Sequence, residues 1–194
     1  MTGLKKSVTR TLILCTAAAL STCFAVRFTA YAQAVPNPAS VVKSQTYVSL
    51  DKVPRGQTFD AAVVVQIVPG FHMNSNKPSE DYLIPTTITP NPPAGIRVVS
   101  TIYPAGQLKK FSFSPDKPLN VYSESVTLRL KLAADAAAPL GPQTIPATLR
   151  YQACNDTTCL PPVKVPVNLS VEIAPVGTAA HHVHSEIFAP AAKN

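Results

Sequence analysis

The 194-residue sequence lacks an uncharged run long enough to cross a bilayer as a helix. The run from Thr11 to Val26 is 16 residues, against the roughly 20 that a spanning helix needs. There is no cluster of lysines and arginines with interleaved aromatics, so nucleic-acid binding has no support. No cofactor motif, no internal repeat and no persuasive helical periodicity beyond the leader is visible, and no cofactor is expected. Cysteine is scarce, with four in the whole chain. A tetrahedral zinc site at any of them would need further ligands, offered only as histidines, so no metal is expected there. The cluster His181, His182 and His184 could attract copper or zinc, but it reads as a solvated tail.

What is present begins with an export signal. Lys5, Lys6 and Arg10 precede the apolar run, and Ala32 and Ala34 stand at the −3 and −1 positions of an A-x-A cleavage site. Residues 1–34 read as a signal peptide removed after Ala34, implying a periplasmic or secreted protein with no stable membrane insertion. Cleavage leaves 160 residues, a formal charge of +3 and two thiols, Cys154 and Cys159. That length suffices for one domain with a real core, residues 35–174, followed by an Ala-, Pro- and Gly-rich segment, 175–194, expected to be a flexible tail.

The domain reads as all-β. In "SVTLRLKL" Val126, Leu128, Leu130 and Leu132 alternate with Thr127, Arg129 and Lys131, the pattern of a half-buried strand. Similar runs recur between turn-forming segments such as "PRGQ", "PNPPAG" and "APLGP". Seven or eight short strands so spaced fit an immunoglobulin-like β-sandwich. The 20 prolines are expected in edges and connections, because proline cannot donate to a central ladder. "GQLKKFSFSPDKPLN", Gly106 to Asn120, reads as a long polar connection that folds back through Phe111 and Phe113.

The cysteines lie in "YQACNDTTCLPP", Tyr151 to Pro162, flanked by two strand-like runs, so "CNDTTC" should be the tip of a hairpin with Asn155 and Asp156 supplying turn chemistry. Closing so short a loop restricts the unfolded chain by only about 2 kcal/mol. An accessible, loop-borne bridge has the properties of a redox-active pair. Spacing alone leaves both a structural staple and a redox pair open.

This stretch, together with "PGFHMNSNKPSEDYLIPTTI" (Pro69 to Ile88), resembles the N-terminal periplasmic domain family of the thiol:disulfide interchange protein DsbD, over roughly Ser40 to Ile173. The resemblance implies an immunoglobulin-like sandwich and thiol–disulfide exchange, with Cys159 forming mixed disulfides with partner proteins and Cys154 resolving them. It also implies a cap loop whose aromatic covers the disulfide, Phe111 or Phe113 being the candidates, and it makes Phe71 and Tyr151 candidates to line the site. DsbD also has a membrane conduit and a thioredoxin-like domain, which nothing in this chain matches. The implied partners are therefore thioredoxin-like periplasmic proteins and a membrane electron donor acting in trans. The competing expectation is a non-enzymatic binding module with a local structural disulfide.

Overall fold

The computed structural model describes residues 36–189; the expected signal peptide and its cleavage site lie outside them. In chain order the strands are β1 Val42–Val48, β2 Val53–Pro54, β3 Thr58–Ile67, β4 His72–Asn74, β5 Thr87–Pro90, β6 Ile96–Ile102, β7 Gln107–Phe111, β8 Ser114–Ser123, β9 Ser125–Ala134, β10 Gly141–Tyr151, β11 Ala153–Cys154 and β12 Val163–Ala174, followed by a one-turn helix, α1, Ser185–Phe188. They form three four-stranded sheets ordered β1-β3-β9-β6, β2-β12-β10-β5 and β11-β4-β8-β7. The domain is thus all-β, as its alternation predicts.

The first two sheets enclose the core. Val126, Leu128, Leu130 and Leu132 of β9 are all buried, as are Val63 and Val65 of β3, Ile145 and Leu149 of β10, and Leu169 and Ile173 of β12. Each such side chain contributes about 1.5–3 kcal/mol by leaving water. The longest ladder runs from Gly141↔Ile173 to Tyr151↔Val163, the hairpin expected on either side of the cysteines. Several prolines lie inside strands rather than in connections. Pro142 and Pro146 sit in β10 beyond the reach of β5, which pairs only Ala147 to Arg150, and Pro166 of β12 is far from the Ile173 and Ala174 that meet β2. Pro142 and Pro166 thus lie where one neighbour is missing, while Pro146, which lacks an N–H, uses its carbonyl to accept from Asn91 N–H at 2.8 Å.

The third sheet is made of continuations of the sandwich strands. Beyond β3 the chain turns at Gly70 (φ 85°) into β4, and β8 passes into β9 through Glu124 (φ 59°). The Glu124 carbonyl accepts from Ile67 N–H at 2.7 Å, tying the two crossings together. A left-handed conformation costs a residue with a Cβ roughly 1–2 kcal/mol, so this kink is held by its surroundings. β11 likewise follows β10 after one residue, Gln152.

Two expectations need correction. Gly106 to Asn120 is not a connection: β7 and β8 pair as a hairpin, closing at Phe111↔Ser114. The segment from Pro175 is not a free tail as far as Ala189. His181 and Asp51 exchange hydrogen bonds through Asp51 N–H to the His181 carbonyl (3.0 Å) and His181 N–H to Asp51 Oδ1 (2.8 Å). The Arg129 guanidinium donates to the carbonyls of Ile187 and Ala189, both at 2.8 Å. Backbone groups do this docking, which a reading of side-chain composition does not register.

Neighbouring residues of β9 test its two faces. Leu130→Ala should cost about 2–5 kcal/mol, read from the urea midpoint. Arg129→Ala should change that midpoint little while accelerating amide hydrogen exchange at Ile187 to Ala189.

Candidate functional site

Cys154 and Cys159 are joined by a disulfide at the end of the β10–β12 hairpin. The turn between them organises itself: Asn155 Oδ1 accepts from the N–H groups of Thr157 (2.9 Å) and Thr158 (2.8 Å), and Asn155 N–H donates to the Thr158 carbonyl at 2.9 Å. This is the side-chain mimicry of a backbone turn for which asparagine is suited. Outside the bridge, Leu160 N–H donates to the Ala153 carbonyl at 2.8 Å.

Gln152 fixes this unit to the domain. Its carbonyl accepts from Asn74 N–H at 3.1 Å. Its Oε1 accepts from Asn74 Nδ2 and Ile84 N–H, each at 3.2 Å, and its Nε2 donates to the Leu160 carbonyl at 3.3 Å. The clamp sets β11 beside β4 in the register Ala153↔Met73 and Cys154↔His72. Cys154 is only 1% exposed, whereas Cys159 is half-buried. The two cysteines therefore differ in exposure.

The β7–β8 hairpin lies against the loop. At its tip, Ser112 N–H donates to the Asp156 carbonyl at 3.3 Å, and the Ser112 hydroxyl donates to the same oxygen. Phe111 is 3% exposed and Phe113 is 41% exposed, their rings stacked with centroids 5.2 Å apart. Phe111 belongs to a small cluster with Leu83, Leu119 and Val121, so it anchors the hairpin from within while Phe113 faces outward. Lys109 Nζ lies 3.5 Å from Asp156 Oδ1, an exposed pair worth little in stability.

The remaining candidates fare differently. Tyr151 is fully buried, with its hydroxyl donating to the Pro38 carbonyl at 2.8 Å; it is a core residue here. Burial pushes its phenol up to about 12. Phe71 packs against the core and lines a cleft with His72, Ser123 and Glu124. His72 itself is absent from the sequence reading although it pairs directly with Cys154. Its signal was an imidazole between Phe71 and Met73, which becomes meaningful only once the β4–β11 register is known. The tail histidines do not converge, and among the described residues no group of three or more His, Cys, Asp or Glu could hold a metal.

An immunoglobulin-like all-β domain presenting a local disulfide at one hairpin end, with the tip of a second hairpin against the cysteine loop, is what the fold and site define. The chain belongs to the DsbD N-terminal family: the model described as "Thiol:disulfide interchange protein DsbD, N-terminal" matches residues 39–170. Among solved structures, the Neisseria meningitidis DsbD N-terminal domain in its reduced form is 19% identical, with 76% of this chain and 94% of that chain covered and a TM-score of 0.43. The N-terminal periplasmic domain of ScsB from Proteus mirabilis is 11% identical, with 79% and 53% covered and a TM-score of 0.50. The complex between the DsbD and PilB N-terminal domains of N. meningitidis matches at 17% identity, 78% and 94% coverage and a TM-score of 0.40. At 11% identity the ScsB likeness speaks to fold alone, and no structural argument rests on the two Neisseria matches. No curated protein sequence matches the chain.

Two measurements check this description. Phe111→Ala combined with Phe113→Ala should speed reduction of the bridge by small thiols, because access limits exchange along with thiolate fraction; unchanged rates would mean the hairpin is no lid. Because the Tyr151 phenol titrates higher folded than its ordinary value of 10.0, its protonated form stabilises the fold. That contribution is full below pH 10, falls as pH rises, and is lost through about 12. Tyr151→Phe should flatten the corresponding alkaline fall in thermal midpoint.

Proposed function

We propose that this domain is a periplasmic thiol–disulfide exchange protein, passing reducing equivalents through Cys154 and Cys159 to thioredoxin-fold partners. The observation that carries the reading is the unequal burial of the two cysteines in a family-matching motif, Cys159 half-buried and Cys154 sealed behind it. The Cys159 thiolate attacks a partner disulfide, forming a mixed disulfide and releasing one partner thiol. Cys154 then attacks Sγ of Cys159, releasing the second partner thiol and leaving the bridge oxidised. No cofactor is required, and two electrons pass to the partner. A membrane donor acting in trans would reduce the bridge again. In this reading Phe111 and Phe113 form the cap, displaced when a partner docks.

The family match and the disulfide support the chemistry. The basic, apolar leader supports export, and the related ScsB domain is a periplasmic one. The related Neisseria domain forms a complex with the PilB N-terminal domain, which supports protein partners in general. Against a purely structural staple stands the turn itself, already closed by Asn155 and Gln152 without help from the bridge.

Cys154→Ser should remain folded and accumulate a mixed disulfide through Cys159 when offered an oxidised thioredoxin-like protein, seen on a non-reducing gel. Trapping through Cys159→Ser instead would reverse the two roles. If neither variant traps and the couple lies well below about −300 mV, the domain is a binding module.

A further inference from the structure

Opposite Cys154 in the β4–β11 ladder stands an imidazole. Directly paired residues of an antiparallel ladder share a face, with Cβ atoms about 4.5–5.5 Å apart, and Cys154↔His72 is such a pair. The next residue across is Ser123, through His72↔Ser123. A thiol must lose its proton to attack, and burial in apolar surroundings opposes that loss. Cys154, at 1% exposure, therefore needs a proton acceptor from the protein.

Three side chains from two strands hold the His72 ring. Ser123 Oγ of β8 is 2.9 Å from Nδ1, Lys109 Nζ of β7 is 2.6 Å from Nε2, and Phe111 meets the ring edge to face at 5.5 Å. An ammonium can only donate, so Nε2 accepts and Nδ1 carries the hydrogen, donated to Ser123. The charged groups facing the ring are Lys109, Asp156 from the cysteine loop, and Glu124, which lines the same cleft. Burial first, then the Lys109 charge, pulls His72 below its ordinary value, with Asp156 opposing. The ring is thus neutral at neutral pH, and its Nε2 lone pair is free to take a proton only once Lys109 moves off it.

Resting on the exchange reading, we propose that His72 is the acid–base partner of Cys154, taking its thiol proton as the sulfur attacks Cys159 in the mixed disulfide. The Cys154–Cys159 bond forms as the Cys159–partner bond breaks. The partner sulfur leaves with the electron pair and receives the proton from His72, directly or through water. Lys109 can shift from Nε2 toward Asp156 Oδ1, 3.5 Å away, while the ring holds the proton. In the reverse direction His72 takes the proton of the donor thiol as it attacks Cys159 and passes it to Cys154 as that sulfur leaves. Cys159 does not depend on it.

Ellman's reagent separates the steps. The reduced protein should release thionitrobenzoate twice, first as Cys159 forms the mixed disulfide and again as Cys154 resolves it. His72→Phe should leave the first release unchanged and slow the second about 10²-fold at neutral pH. It should also abolish the imidazole inflection in the pH profile of the second release. Added imidazole should restore part of that phase in His72→Ala, and His72→Gln serves if the phenylalanine variant does not fold. An unchanged second release, parallel changes in both, or slowing that keeps the wild-type pH profile would overturn the proposal. If His72 governs resolution but Cys154→Ser traps no thioredoxin-like protein, the exchange function fails while the acid–base pairing stands. If trapping succeeds and His72→Phe resolves normally, only the pairing fails.

Discussion

The clamp made by Gln152 is the constraint on which the site depends. The residue sits where β10 ends and β11 begins, and its amide and carbonyl reach three separate segments, at Asn74, Ile84 and Leu160. Without it the strand carrying Cys154 would have only a two-residue ladder to hold it against β4, too little to define a register by pairing alone. Hydrogen bonds within a partly buried network gain from the lower local dielectric. A carboxamide, with two donors and an acceptor oxygen, is among the few side chains able to make this set.

The same economy explains where the site lies. β4, β8 and β11 are extensions of strands whose inner portions build the core, so the sandwich's rigidity reaches the disulfide through continuous backbone. Gly70 and Glu124 turn two of those strands out of the sandwich side by side. The β7–β8 hairpin is in turn rooted in its own apolar cluster through Phe111, Leu119 and Val121, which leaves its tip to meet Asp156.

Much of this was legible beforehand, and the gaps have physical causes. Alternation in β9 names its buried residues because a half-buried strand of ten residues repeats its pattern several times. The hairpin around the cysteines was legible for the same reason, and Asn155 announced its turn. β4 and β11, of three and two residues, are too short to alternate, so the sheet that pairs His72 with Cys154 was invisible. Prolines and polar residues disguised β8 as a loop: Pro115 and Pro118 lie within it. The docking of residues 175–189 runs largely through its backbone N–H and carbonyl groups, which look alike in every sequence. Tyr151, beside the cysteine motif, suggested a site residue, yet strand alternation sends it into the core.

The hydrogen bonds that bracket the bridge, Asn155 to Thr158 inside it and Leu160 to Ala153 outside it, do not involve sulfur. Neither bond needs the S–S link, so the turn carries its own means of staying closed when the bridge opens. On the exchange reading, such a turn would show partners nearly one surface in both redox states, and the spent form would compete with the charged one for the same partner.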